Sequence, residues 1–135
     1  MLSVFPSLLA FGLLAPLLLR LALGLVFVNF GWHKLARGRA DKTAFFESLG
    51  WKPGEYFAFG FGVVELVVGV MLIVGIYTQI AAFVAALISL GALALKRRTT
   101  SCGIESTRGF LALLFIISLS LLVLGAGLFA FDLPL

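Results

Sequence analysis

The sequence predicts an all-α integral membrane protein: an antiparallel bundle of four transmembrane helices with a short interfacial helix between the first and second spans. Three observations lead there. The 135 residues are 62% hydrophobic and only 12% charged, against about half apolar and a quarter charged in soluble domains. Four apolar stretches approach the roughly 20 residues needed to cross a hydrocarbon core of about 30 Å. Finally, VVELVVGVMLIVGIY and LALLFIISLSLLVLGAGLFAF are apolar on every side, without the alternation of a barrel strand. Helices satisfy their own backbone N–H and C=O groups, as lipid requires.

The same composition excludes several function classes. Sixteen Lys, Arg, Asp and Glu side chains are too few to coat a soluble domain of this apolar content. A soluble enzyme, a disordered tail and a secreted disulfide scaffold are therefore ruled out. So, despite a pI near 9.7, is a nucleic-acid binder. The single cysteine allows no intrachain disulfide.

Taken in order, residues 1–15 form an apolar lead-in, interfacial or helical, set off by Pro6 and Pro16. No Lys or Arg precedes Arg20, so the basic n-region of a secretory signal is missing and this segment is expected to be retained. The first span covers about 16–35 and the second about 56–77. Between them, ARGRADKTAFFESLGWKPGE carries an amphipathic helix from about Lys42 to Leu49, opened by Asp41 or Thr43 and closed by Gly50. Its Phe45, Phe46 and Leu49, with Trp51, are expected to dip into the membrane interface while Lys42 and Lys52 stay wet. A tight turn at Tyr77, Thr78 and Gln79 leads to the third span, about 78–95. The polar loop 96–108 precedes the fourth, about 109–131.

Charge sets the expected orientation. Loops 36–55 and 96–108 hold Lys34 beside them and Arg37, Arg39, Lys42, Lys52, Lys96, Arg97, Arg98 and Arg108, nine of the ten basic residues. The positive-inside rule then puts both loops in the cytoplasm and both termini outside an inner (plasma) membrane. Four short helices leave little room for an enclosed site, which favours a homo-oligomer in the lipid bilayer.

Polar groups inside the spans are the candidate site, because a charge in lipid is costly and marks a pair, a cavity or a function. At about 100° per residue, Arg20, Gly24, Phe27, Gly31 and Lys34 share one face of the first span, and Asn29 and His33 lie opposite. Ala58, Gly62, Glu65 and Gly69 form a similar stripe on the second. Small residues at this spacing let helix backbones approach closely. Placed by the helix ends, Arg20 and Glu65 are offset by about 10 Å along the axis. That is close enough for two long side chains to meet directly or through water. Glu65 is thus either the partner of Arg20, fixing register, or a proton carrier or headgroup ligand. His33 and Lys34 either contact a ligand at the cytoplasmic interface or snorkel there. Ala82, Ala85, Ala86 and Ser89 read as packing, and Cys102 as a spectator or a reactive thiol in a basic loop. One His, one Cys and scattered carboxylates offer no metal-ligand spacing.

LLLRLALGLVFVNFGWHKL, GFGVVELVVGVMLIVGIYTQIAA and TRGFLALLFIISLSLLVLGAG resemble the DoxX family of small four-span membrane proteins. The resemblance rests on an early Arg (Arg20), GxxK (Gly31, Lys34), ExxxG (Glu65, Gly69) and a basic residue before the last span (Arg108). Phe30 stands where many members have His or Ser, and Thr78-Gln79 where Thr-Arg is familiar. The family is named for a subunit associated with a thiosulfate:quinone oxidoreductase, and its relatives are linked to thiol redox or membrane-protein assembly.

The resemblance implies an accessory or binding subunit of a membrane redox system, quinone- or thiol-linked, working with a redox partner protein that supplies any cofactor. Without a Ser/His/Asp set, a phosphate loop or a haem motif, an autonomous enzyme is not expected. The alternatives are a small-molecule or lipid-binding carrier around Arg20 and Glu65, or an assembly factor.

Overall fold

Five helices make up the part of the chain that the computed structural model describes, residues 12, 14–36, 39–98, 107–127 and 130–131. They are α1 (Leu14–Ala36), α2 (Arg39–Ser48), α3 (Gly54–Val74), α4 (Thr78–Arg98) and α5 (Arg108–Leu124). Three are long and apolar enough to cross a membrane: Leu14–Ala36, Gly54–Val74 and Thr78–Arg97. Only a third of each such window is buried inside the protein. Much of the rest is an outward face of large apolar side chains, including Leu18, Leu25, Ile80 and Phe83, as suits a helix surrounded by lipid tails.

The pairing of α1 with α3 follows from glycine. A Cβ on Gly24 would lie 2.8 Å from the Gly69 carbonyl oxygen, and one on Gly31 2.6 Å from that of Gly62. Gly69 in turn faces the Gly24 carbonyl oxygen at 2.7 Å. All four glycines expected to pack are therefore at the contact, and the backbones of two antiparallel helices meet there. The second pair is α4 on α5. Ala81, Ala82, Ala85 and Ala86 supply the small surface of α4, and Leu111, Leu114 and Leu121 supply the knobs of α5. Leu23, Phe27, Val68 and Leu72 join the two pairs in one core with Ala82, Ala85, Leu114 and Leu121.

Several boundaries differ from those expected. The second span ends at Val74 rather than at Tyr77, because Gly75 takes a left-handed conformation (φ 80°). Its N–H and that of Ile76 both bond to the Met71 carbonyl at 2.8 and 3.1 Å, closing the helix. The third helix runs on through Lys96 to Arg98, since a basic residue at a helix C-terminus complements the dipole. The last helix stops at Leu124, seven residues short of Phe131. Gly125 (φ 76°) and Gly127 (φ 70°) turn the chain there.

The amphipathic segment is also corrected. α2 begins at Arg39, so Asp41 lies in its first turn rather than at its cap. Part of its aromatic face turns inward, while Trp51 stays exposed. Gly54 packs against the Thr43 carbonyl, and Phe46, only 7% exposed, stacks on Phe61 of α3 and on Trp51 with centroids 5.5 and 6.0 Å apart. The lead-in up to residue 11 and the centre of the second large loop with Cys102 lie outside the described residues.

Candidate ligand-binding site

The C-terminal ends of α1 and α4 and the N-terminal ends of α3 and α5 converge, because successive long helices run antiparallel. With α2 they line a half-open cavity of about 780 Å³, within the range of about 300–1,000 Å³ that small-molecule sites occupy. Phe27, Phe30, Phe45, Phe46, Trp51 and Phe61 make an aromatic wall, and Leu87, Ile88, Ala92 and Leu95 of α4 with Leu111 and Leu114 of α5 an aliphatic one. The polar lining is sparse: Asn29, His33 and Lys34 of α1, Lys42 of α2, Glu65 of α3 and Ser89 of α4.

The cavity thus gathers four of the five polar residues expected at a site, and it spans an arc of α1 wide enough to take in Asn29 and His33 as well as Lys34. Asn29 and His33 are exposed at its rim. Lys34 Nζ donates to Glu65 Oε1 and forms an ion pair with it. The Lys34 side chain is 22% exposed and that of Glu65 only 3%. Glu65 Oε2 is buried without a hydrogen-bond partner among the described residues, and so is Ser89 Oγ.

Arg20 belongs elsewhere. It is 1% exposed at the opposite end of α1, where its Nη1 donates to the Ala126 carbonyl at 2.8 Å. The expected pairing of Arg20 with Glu65 is replaced by Lys34 with Glu65, for a geometric reason. The register of Gly24 against Gly69 and Gly31 against Gly62 sets Glu65 about level with Val28, about 9 Å along the axis from Lys34 and about 12 Å from Arg20. Helical side chains lean toward their own N-terminus. Across an antiparallel pair, Lys34 and Glu65 therefore lean toward one another, while Arg20 leans away.

Two contributions to the site escaped the sequence. Ser89 continues the buried run of Ala82, Ala85 and Ala86 and reads as one more small packing residue. Its missing partner is visible only in the structure. Phe46 and Trp51 carried the signal of an interfacial helix, and the stacking partner Phe61 lies on a different helix.

Residues 15–97 match the DoxX family model. The match covers α1 to α4 and hence every polar residue of the cavity. Comparison with curated proteins and with solved structures gives no match.

Proposed function

The chain belongs to the DoxX family of membrane proteins, and from that premise we propose that it is a binding subunit of a membrane redox system, holding a quinone-like molecule in the cavity beneath α2. The observation that carries this reading is the cavity itself: a space of about 780 Å³ with an aromatic wall and a few polar groups in its lining. Aromatic side chains accept a flat ring by stacking. Asn29, Lys34 and Lys42 are N–H donors for a ring oxygen. A bound quinone would supply electron-carrying capacity, and this chain's own residues would bind it, orient it and shelter it from water. The electron donor and acceptor would belong to a partner protein.

In this reading α5 completes a four-span bundle. Its 17 residues reach about 26 Å, most of a hydrocarbon core. Loops 36–55 and 96–108 then face the cytoplasm with the mouth of the cavity, and both termini lie outside. The outward apolar faces leave surface for a second copy of the chain.

A lipid-binding carrier is the second reading. It is favoured by Lys34, Lys42 and His33, which put cationic and donor groups beside the cavity where an anionic headgroup would sit. One experiment separates the two. The protein purified in mild detergent is extracted with organic solvent, the extract is analysed by mass spectrometry, and the protein is titrated with a short-chain quinone while Trp51 fluorescence is followed. A co-purified quinone and saturable quenching that Phe46→Ala abolishes are expected. A stoichiometric phospholipid with no quinone response would select the carrier.

A further inference from the structure

Serines inside apolar helices ordinarily return their hydroxyl to the carbonyl four residues back. Ser118 and Ser120 of α5 do so, bonding to the Leu114 and Ile116 carbonyls at 2.7 and 2.9 Å. Ser89 is buried to 2% exposure and makes no such bond among the described residues. Ser89 is among the residues that line the cavity. Glu65 presents a matching case from the other side. Lys34 engages Oε1, Oε2 is left buried without a partner among the described residues, and Glu65 lines the same cavity. An unmet buried polar atom is expensive in any protein and more so where lipid replaces water. Two residues that carry such atoms line one cavity, which points to a ligand that satisfies both.

The chemistry of the two atoms narrows that ligand. A carboxylate paired with an ammonium group accepts hydrogen bonds and donates none, so what meets Oε2 must bring its own O–H or N–H. A hydroxyl such as that of Ser89 donates or accepts. The aromatic wall requires a flat, apolar body. Resting on the reading of this cavity as a site for a ring-bearing molecule, we infer that it selects a hydroxylated aromatic, a phenol or hydroquinone, over ring compounds whose oxygens only accept. Glu65 Oε2 takes the hydroxyl proton in a hydrogen bond, and Ser89 adds a second bond to the same ligand.

The test compares two probes that differ in this feature alone, 4-decylphenol and its methyl ether 4-decylanisole. Each is titrated into the detergent-purified full chain carrying Trp32→Phe, so that Trp51 on the cavity wall reports binding, with concentrations expressed as mole fraction in the micelle. A hydrogen bond to a charged acceptor corresponds to a preference of about ten-fold or more for the phenol. That preference should fall to within about three-fold of unity in the double variant Lys34→Met with Glu65→Leu, which removes the acceptor without stranding a charge. It should also shrink in Ser89→Ala, which extends the neighbouring alanine surface. Equal binding of the two probes by the parent protein would overturn the selectivity and leave the cavity reading intact. An undiminished preference in both variants would also overturn it, by removing Glu65 and Ser89 from the recognition. If neither probe binds, the cavity reading itself fails and the selectivity falls with it.

Discussion

Lys34 Nζ of α1 donates to Glu65 Oε1 of α3, joining the two helices whose backbones touch at Gly31 and Gly62. The glycines bring the helices close, and because the helices are antiparallel Lys34 and Glu65 lie on either side of that contact and lean back across it. Replacing Glu65 alone by Gln leaves a lysine without its counter-charge, and replacing Lys34 alone by Gln strands a carboxylate. Each single change should cost about 3–5 kcal/mol, the scale for breaking a buried ion pair. Lys34→Met combined with Glu65→Leu should recover most of that loss. Thermal unfolding of the three variants in one detergent checks it, and additive losses in the double variant would deny the coupling. His33→Gln, at an exposed position, should stay within about 1 kcal/mol of the parent.

Much of this arrangement was legible in the sequence. The glycine stripes of the first two spans gave the helix contact, and the isolated Glu65 marked the place where a partner had to be. The partner differs from the expected Arg20 because distance from the helix ends carries neither the contact register nor the N-terminal lean of the side chains. Had Gly24 been set against Gly69 and Gly31 against Gly62, Lys34 would have come out nearer than Arg20. α2 is different in kind. An amphipathic stripe of Phe45 and Phe46 has the same pattern whether it meets lipid or Phe61, so no local signal distinguishes the two. Ser89 was hidden because a small residue among alanines fits packing equally well.

Glycine offers an internal comparison. A Cβ on Gly31 would meet the Gly62 carbonyl oxygen at 2.6 Å and the Leu66 nitrogen at 2.7 Å, whereas around Gly60 on α3 nothing lies within 4 Å. Gly31→Ala must push α1 and α3 apart and should destabilise by about 1–3 kcal/mol, as overpacking does. Gly60→Ala meets no neighbour and gains helix propensity, so it should be neutral or stabilising by up to about 1 kcal/mol. Midpoints of thermal unfolding for the two variants should move in opposite directions or differ clearly in size. Equal shifts would argue against backbone contact at Gly31.

Arg20 works at the far end of the bundle, where the α3–α4 turn and the segment after α5 come together. Gly75 is left-handed there, and a Cβ on it would lie 2.7 Å from Arg20 Nη1 and 3.0 Å from Ala130 Cα. Gly75→Ala therefore carries a conformational cost of about 1–2 kcal/mol and a clash in addition. Arg20→Met removes the bond to the Ala126 carbonyl and should cost about 1–3 kcal/mol. Hydrogen exchange should quicken at residues 125–127, while titrations of the cavity stay unchanged. An Arg20→Met variant that folds normally but loses ligand binding would place Arg20 in the site after all.

Orientation in the membrane is testable at two exposed positions on opposite ends of the bundle. Lys52 precedes α3 at the end where α1 and α4 finish, and Tyr77 lies in the turn between α3 and α4. Basic residues gather at the Lys52 end, among them Lys34, Lys42, Lys96, Arg97 and Arg108, and cytoplasmic loops carry such an excess because translocating Lys and Arg is disfavoured. In a Cys102→Ser background the chain has no other cysteine, so each introduced thiol reports alone. Tyr77→Cys should react with an impermeant maleimide added to intact cells, and Lys52→Cys only after the membrane is permeabilised. The reverse pattern would place the basic end and the mouth of the cavity outside, and any redox partner would then have to approach from that side. Labelling of both thiols in intact cells would mean that the ends of α3 share one side, which a membrane-spanning α3 does not permit.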